Sequence, residues 1–195
     1  MSRSEPKPTG WRKALMLLRD ETGGIHPRLL ALNIAQSFLP RHRLQDARAH
    51  LFSWAGFQVG EGTRISTPPK INGNKDLFSN LKVGRDCAID ADCVFDLCEK
   101  ITIGDRATLS AGVMILTSTH ELDIREHRAG PIQLAPVTIG DGVLLGARCI
   151  ILPGVTIGAG SVVNPGSVVN KHVAPGVRVG GIPATQLEVL DTSTG

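Results

Sequence analysis

Apolar residues recur at every sixth position along most of this chain. They form three runs, which are Val59, Ile65, Ile71, Leu77, Val83, Ile89 and Phe95, then Ile103, Leu109 and Ile115, and finally Ile139, Leu145, Ile151, Ile157, Val163 and Val169. A slip of two residues separates the first two runs, and a long interruption precedes the third. With 42% hydrophobic residues overall, sixteen matches in sixteen positions have a chance probability of about one in a million. The period is therefore a structural signal.

A period of six does not match an α-helix, but it contains three alternations of a β-strand. Glycine often follows the apolar residue, as at Gly84 and Gly104, and a small or β-branched residue stands four positions after it, as at Cys93 and Ala107. Corner-forming strings such as Gly104-Asp105 and Asp141-Gly142 lie between successive apolar positions. Short strands joined by tight corners stack along one axis, so the pattern predicts a mainly β solenoid.

The same pattern divides the chain. Residues 1–57 lack the period and are predicted to form an N-terminal helical segment, with 1–9 disordered, that is a candidate to cap the solenoid. The repeats predict a solenoid at 58–180, followed by a C-terminal tail at 181–195. Between 121 and 136 the rhythm stops, which predicts a protruding loop, and loops of this length are usually functional or disordered.

Charge is distributed unevenly along the chain. Residues 1–57 hold nine Lys/Arg and four Asp/Glu, a net of +5, whereas 58–195 hold twelve and fourteen, a net of −2. A solvated helical face explains the basic segment better than a membrane surface or another anionic partner. The first fifteen residues are polar and no apolar run has the length of a membrane span, so we expect a cytoplasmic protein without a transmembrane segment. Peripheral membrane contact by the basic N-terminal segment stays open, and no nucleic-acid partner is expected.

Four cysteines argue against a metal or redox site. Cys87, Cys93 and Cys149 occupy the small-residue position of their repeats, where they are expected to pack as small hydrophobic side chains. No CxxC pair occurs.

His120 stands where the repeats end and the predicted loop begins. A neutral imidazole near pH 7 is well suited to remove a proton from a hydroxyl or an amine. The end of a rigid coil would hold it beside a cleft. A lone histidine in a solvated loop is the alternative.

The segment from Ile103 onward resembles the sugar O-acetyltransferases of the hexapeptide-repeat family, which includes the galactoside and maltose acetyltransferases. The matching strings are Ile103-Gly-Asp, Thr117-Ser-Thr-His-Glu-Leu-Asp123, Pro136-Val-Thr-Ile-Gly-Asp141, Leu152-Pro-Gly-Val-Thr-Ile-Gly158, Gly166-Ser-Val-Val and Val179-Gly-Gly-Ile-Pro183. The resemblance implies a left-handed parallel β-helix, a homotrimer with sites between neighbouring chains, and acetyl-CoA as cosubstrate. It also implies direct transfer to a sugar or glycan hydroxyl, with His120 as general base.

The resemblance also suggests further site residues. Those for the cofactor are Gly146, Ala147, Pro165, Gly166 and Lys171, and those that bind the acceptor or orient His120 are Asp90, Asp123, Arg125 and Glu126. This chain departs from the galactoside type at three of the compared positions. Asp90 replaces an Asn, Ala147 replaces a Ser that serves as oxyanion donor, and Leu144 replaces an aromatic residue.

Three other functions are alternatives to a sugar O-acetyltransferase. A zinc hydratase on the same solenoid needs three convergent histidines, but beyond the helical segment the chain has only His120, His127 and His172, with unsuitable spacing. No metal is therefore expected. A serine or amino-sugar acetyltransferase and a non-catalytic trimeric scaffold stay open.

Overall fold

The computed structural model describes residues 27–37, 44–73, 77–123 and 128–190. These residues form a parallel β-solenoid of about five turns, preceded by two helices and consistent with a left-handed β-helix. The predicted fold class is thereby confirmed. Within the N-terminal segment predicted to be helical, residues 1–26, which include the stretch 1–9, and residues 38–43 lie outside the described residues.

Three sheets run the length of the solenoid, with every pair of strands parallel except the last two strands of the second sheet, and each turn contributes a short strand to each sheet. The helices are α1 (Pro27–Ser37) and α2 (Gln45–Ala55). The first sheet contains β1 (Gln58–Val59), β4 (Leu81–Val83), β7 (Ile101–Ile103), β12 (Val137–Ile139) and β15 (Thr156–Ile157). The second contains β2 (Arg64–Ile65), β5 (Ala88–Ile89), β8 (Thr108–Leu109), β13 (Leu144–Leu145), β16 (Val162–Val163), β18 (Val177–Gly181) and β19 (Ala184–Val189). The third contains β3 (Lys70–Gly73), β6 (Val94–Leu97), β9 (Met114–Ile115), β14 (Ile150–Ile151) and β17 (Val168–Val169).

The period of six follows directly from the register of these strands. In the first sheet Val83 pairs with Ile103, Ile103 with Ile139, and Ile139 with Ile157, so inward aliphatic residues lie above one another. Val59 and Ile71 are half-buried and the other fourteen periodic residues are buried. Leu77 is buried in a turn rather than on a strand, so the first coil is irregular.

The small-residue positions form a second interior column. Cys93 and Cys149 are completely buried, and burial raises the pKa of the Cys93 thiol to about 11 and that of Cys149 to about 12. Both are free cysteines that stay protonated near neutral pH.

Aspartates and glycines shape the corner between the first and second sheets, from the second to the fourth turn. Asp105 accepts a hydrogen bond from the backbone N–H of Arg85 at 2.8 Å, and Asp141 accepts one from Asp105 at 2.9 Å. At Gly104 the next coil lies so close that a Cβ atom would meet the backbone nitrogen of Asp141 at 2.7 Å.

The helices cover the N-terminal end of the solenoid. Leu32 of α1 and Phe52 of α2 are buried in the same core as Ile65. Phe57 links the two parts, since its ring lies 5.3 Å from that of Phe52 and 4.9 Å from that of Phe78. The capping role predicted for this segment fits these contacts. Neither described helix has the length and apolar character that a bilayer crossing requires.

Two antiparallel hairpins add to the solenoid. The interruption predicted as a loop contains β10 (Ser118–Leu122) paired with β11 (Ala129–Leu134). At the C-terminal end, β18 pairs with β19, so a strand occupies part of the segment predicted as a tail. Both hairpins lie where the six-residue period is absent, so the period carried no signal for them.

Gly104 and Gly142 are required for different reasons, and alanine substitution should separate them. At Gly142 nothing lies within 4 Å of an added Cβ, but φ is +63°, so Gly142→Ala should cost about 1–2 kcal/mol of unfolding free energy. Gly104→Ala should cost at least about twice as much, because the added atom meets backbone. Urea denaturation measures both, and equal losses would contradict this explanation.

Candidate functional site

His120 lies on β10 with an exposed side chain, and its ring orientation is fixed by the opposite strand. Its Nδ1 lies 2.8 Å from the carbonyl oxygen of Gly130. A carbonyl oxygen only accepts hydrogen bonds, so Nδ1 carries the proton in this arrangement. The lone pair of Nε2 is then available for an incoming proton.

Gly130 permits the close approach of the two strands. A Cβ atom there would meet the backbone oxygen of Glu121 at 3.0 Å and the side chain of Asp123 at 3.1 Å. Glu121 also forms a hydrogen bond with Gln133 across the hairpin. The hairpin thus holds His120 at a defined height above the solenoid.

Asp96, which the sequence analysis did not select, lies buried at the base of this hairpin. Its carboxylate accepts hydrogen bonds from the backbone N–H groups of Cys98 (3.2 Å), Thr117 (3.2 Å) and Ser118 (2.9 Å), and from the Ser118 hydroxyl. Burial alone would raise the pKa of Asp96, but the hydrogen bonds from Ser118, Cys98 and Thr117 outweigh it, and the pKa is lowered. The available signal was a carboxylate directly after the inward Phe95, just before the slip in the period.

Most of the other predicted site residues lie on a different edge of the solenoid. Asp90, Ala147 and Pro165 follow strands of the second sheet at one corner, in the second, fourth and fifth turns. His120 lies on the hairpin that follows β9 of the third sheet. Within one chain, the proposed base and the corner that carries Asp90 and Ala147 therefore lie on different edges of the solenoid.

The part of that corner around Asp90 forms a groove of about 270 Å³. Besides Asp90, it is lined by Gln45, Arg64, Ser66, Thr108 and Ser110 together with Ala88, Ile89 and Leu109. Asp90 Oδ1 accepts a hydrogen bond from the N–H of Ala91 at 2.7 Å. Sequence reasoning missed Arg64 and Thr108, which occupy outward strand positions that the period leaves unconstrained.

The residues of the same corner that were predicted to bind the cofactor differ in exposure. Gly146 is buried, and a Cβ there would meet the nitrogen of Pro165 at 2.5 Å, so Gly146 lets the next coil approach. Ala147 is partly exposed, and its carbonyl accepts a hydrogen bond from Gly166 N–H at 2.9 Å. Within the described ranges, the N–H of Ala147 has no hydrogen-bond acceptor.

Lys171 is exposed on the same edge as the hairpin, two residues after β17 of the third sheet. It borders a cavity of about 290 Å³ with His172, Thr185 and Gln186. The ring of His172 is held in place, because its Nδ1 accepts a hydrogen bond from Thr156 N–H at 3.0 Å.

The outer end of the hairpin contains the remaining predicted residues. The N–H of Asp123 donates to the carbonyl of Arg128 at 3.2 Å, which closes this end of the hairpin. Arg125 and Glu126 lie outside the described residues, and their roles and that of Asp123 stay predictions. Across the described ranges, no three His, Cys, Asp or Glu side chains are grouped to hold a metal ion.

Two family models match the solenoid. "Bacterial transferase hexapeptide (six repeats)" matches residues 136–171, and "Hexapeptide repeat of succinyl-transferase" matches residues 80–117. Nodulation protein L of Rhizobium meliloti is 41% identical over 183 residues, which cover 90% of this chain and 97% of that protein. The chain belongs to the hexapeptide-repeat acetyltransferase family.

Other members of the family support this placement. Galactoside O-acetyltransferase of Escherichia coli is 32% identical over 133 residues, which cover 68% of this chain. The hexapeptide-repeat acetyltransferase VCA0836 of Vibrio cholerae, solved with acetyl-CoA, superposes with a TM-score of 0.73 at 29% identity, covering 85% of this chain and 86% of that one. The chain spans 56% and 64% of the length of two curated relatives that it matches, but 97% of nodulation protein L.

Acid should weaken the wild-type protein more than Asp96→Asn. Since folding lowers the pKa of Asp96, the stability contributed by its carboxylate is present above the ordinary pKa and is lost as pH falls through the folded-state value. Urea denaturation between about pH 5 and about pH 2 should show a steeper loss of unfolding free energy for the wild type. Parallel curves for the two proteins would contradict this assignment.

Proposed function

We propose that this protein is an acetyl-CoA-dependent O-acetyltransferase that acts on a hydroxyl of a sugar or glycan intermediate. One observation carries the proposal. The Nδ1–Gly130 contact leaves Nε2 of His120 free to act as a base, on a hairpin that projects from a solenoid of this family. Relatives named for galactoside and maltose O-acetylation favour a sugar hydroxyl over other acceptors.

His120 moves the proton in the proposed reaction. Nε2 accepts the proton of the acceptor hydroxyl as its oxygen bonds to the acetyl carbon, and Gly130 stabilises the resulting imidazolium through Nδ1–H. The carbon–sulfur bond breaks, and the imidazolium returns the proton to the sulfur of CoA. Atoms and charges balance without an acyl-enzyme. General-base assistance of this kind contributes about 10²–10⁴ in rate.

The second-sheet corner supplies the groups that would meet the thioester. Acetyl-CoA brings an activated acetyl group whose carbonyl oxygen gains negative charge during transfer. The partnerless N–H of Ala147 is suited to donate to that oxygen. The small side chain of Ala147 leaves room along the corner, and Pro165 and Gly166 continue the same surface. Lys171 offers a positive charge for a phosphate of CoA.

The separation of the two edges supports a homotrimer. Each chain carries His120 and Lys171 on one edge, and Asp90 and Ala147 on another. A closed threefold arrangement brings the first edge of one chain against the second edge of its neighbour, which creates three equivalent sites. Asp90 and its polar groove would then receive the acceptor beside the neighbour's His120.

His120→Ala should lower acceptor-dependent turnover by at least about a hundredfold, because the base is lost. The assay is free-thiol release from acetyl-CoA with a panel of sugars, glycans and amines. His50→Ala, an exposed histidine on α2, is the matched control and should keep wild-type activity.

Each result has a definite meaning. Full activity in His120→Ala would remove this residue as the base. Transfer only to amines would favour the amino-sugar alternative. The absence of thiol release with every acceptor, together with no calorimetric binding of CoA, would contradict the acetyltransferase and favour a scaffold.

Mixed trimers test whether two chains build each site. Ala147→Trp should block the cofactor surface and, like His120→Ala, abolish activity on its own. When the two variants are co-expressed with different tags, each trimer that contains both has one site of its three in which an intact His120 meets an intact neighbouring corner. Doubly tagged trimers should therefore recover about a third of the wild-type activity. No recovery would place both groups of one site in the same chain.

A further inference from the structure

The carboxylate at the base of the hairpin has a role that the proposed chemistry does not yet include. We infer that Asp96 is a positioning residue, which fixes the root of the hairpin and thereby sets the place of His120. This inference rests on the proposed function of His120 as base.

Asp96 binds the hairpin where it leaves the solenoid. It lies on β6, whose neighbour β9 is the last strand before the hairpin, and only 5% of its surface is exposed. One carboxylate oxygen, Oδ2, receives the N–H of Thr117 and both the N–H and the hydroxyl of Ser118. The hydroxyl of Thr117 in turn donates to the backbone carbonyl of Asp96 at 2.6 Å. Asp96 thus binds two consecutive residues, Thr117 and Ser118, from the turn beneath the hairpin.

Both strands of the hairpin depend on this attachment. On the outgoing strand, Ser118 and His120 are two positions apart, so they share one face of β10. The returning strand joins at the same place, because the N–H of Ala135 donates to the carbonyl of Thr117 at 2.9 Å. A shift of Thr117 or Ser118 would therefore move His120 and its Gly130 partner together.

Packing alone does not explain a carboxylate at this position. The residues that follow the inward residue in the third sheet are Asn72, Asp96, Leu116, Leu152 and Asn170, so aspartate stands only in the turn directly beneath the hairpin. Burying a charge is unfavourable unless donors compensate it. Here one donor is the N–H of Cys98 and the other three belong to Thr117 and Ser118 at the hairpin root, which ties the charge to the position of that root.

The test compares Asp96→Ala and Asp96→Asn with Asp105→Asn. Asp105 also accepts a backbone N–H of a neighbouring turn, but it lies on the first-sheet corner, away from the hairpin. We expect Asp96→Ala to lower kcat by about tenfold to a hundredfold through displacement of the base, with the KM for acetyl-CoA changed by less than about twofold. Asp105→Asn should keep both constants. Ser118→Ala, which removes one donor, is the mild variant should Asp96→Ala fail to fold, and it should lower kcat in the same direction.

Nitrogen NMR of histidine side chains gives a second readout that a purely structural role would not change. In the wild type, the His120 ring should show a proton on Nδ1, assigned by its disappearance in His120→Ala. Asp96→Asn should shift this ring toward a mixture of tautomers, while the ring of His172 stays unchanged. Unchanged kcat and tautomer in folded Asp96 variants, or equal losses in Asp105→Asn, would overturn the inference. Because the tautomer is measured without substrate, it tests the positioning even where no acceptor is acetylated.

Discussion

The in-register stacking of aliphatic side chains is the constraint on which the rest of this structure depends. Most solenoid strands are two or three residues long, so no turn is stable by itself, and each gains its backbone hydrogen bonds and its apolar cover from the turns beside it. A residue such as Ile103 contacts the equivalent residue above and below, and the register fixes every corner in consequence. The corners that carry Asp90 and Ala147 inherit their positions from this column.

A rigid column also explains why the hairpin lies between two regular turns. β9 and β14 pair as neighbours although 34 residues lie between Ile115 and Ile150 in the chain, so the insertion leaves the stack intact and projects from one edge. Asp96 holds the root of the hairpin, and the carbonyl of Gly130 holds the ring of His120. The hairpin that carries His120 is therefore attached to the solenoid at its root, and the pairing of its two strands fixes the ring of His120 farther out.

The fold could be predicted from the sequence because one interaction repeats many times. The period located the buried residues, and the end of the period drew attention to His120, an exposed histidine close to the break. The pairing of β10 with β11 and of β18 with β19 could not be predicted, since each occurs once and leaves no repeat. Asp96 was missed for the same kind of reason: its role depends on donors more than twenty positions later in the chain. Interactions that occur once are visible only when the chain is folded.

The same distinction bears on specificity. The proposed cofactor surface consists of corner backbone, such as the N–H of Ala147, whose position follows from stacking and tolerates few changes. The proposed acceptor groove is lined by outward side chains, such as Arg64 and Thr108, which face away from the column and are free to vary without disturbing it. Stacking thus constrains the thioester end of the reaction and leaves the acceptor end open. A family built on this solenoid can keep one acyl donor and exchange acceptors by changing residues that contribute nothing to the core.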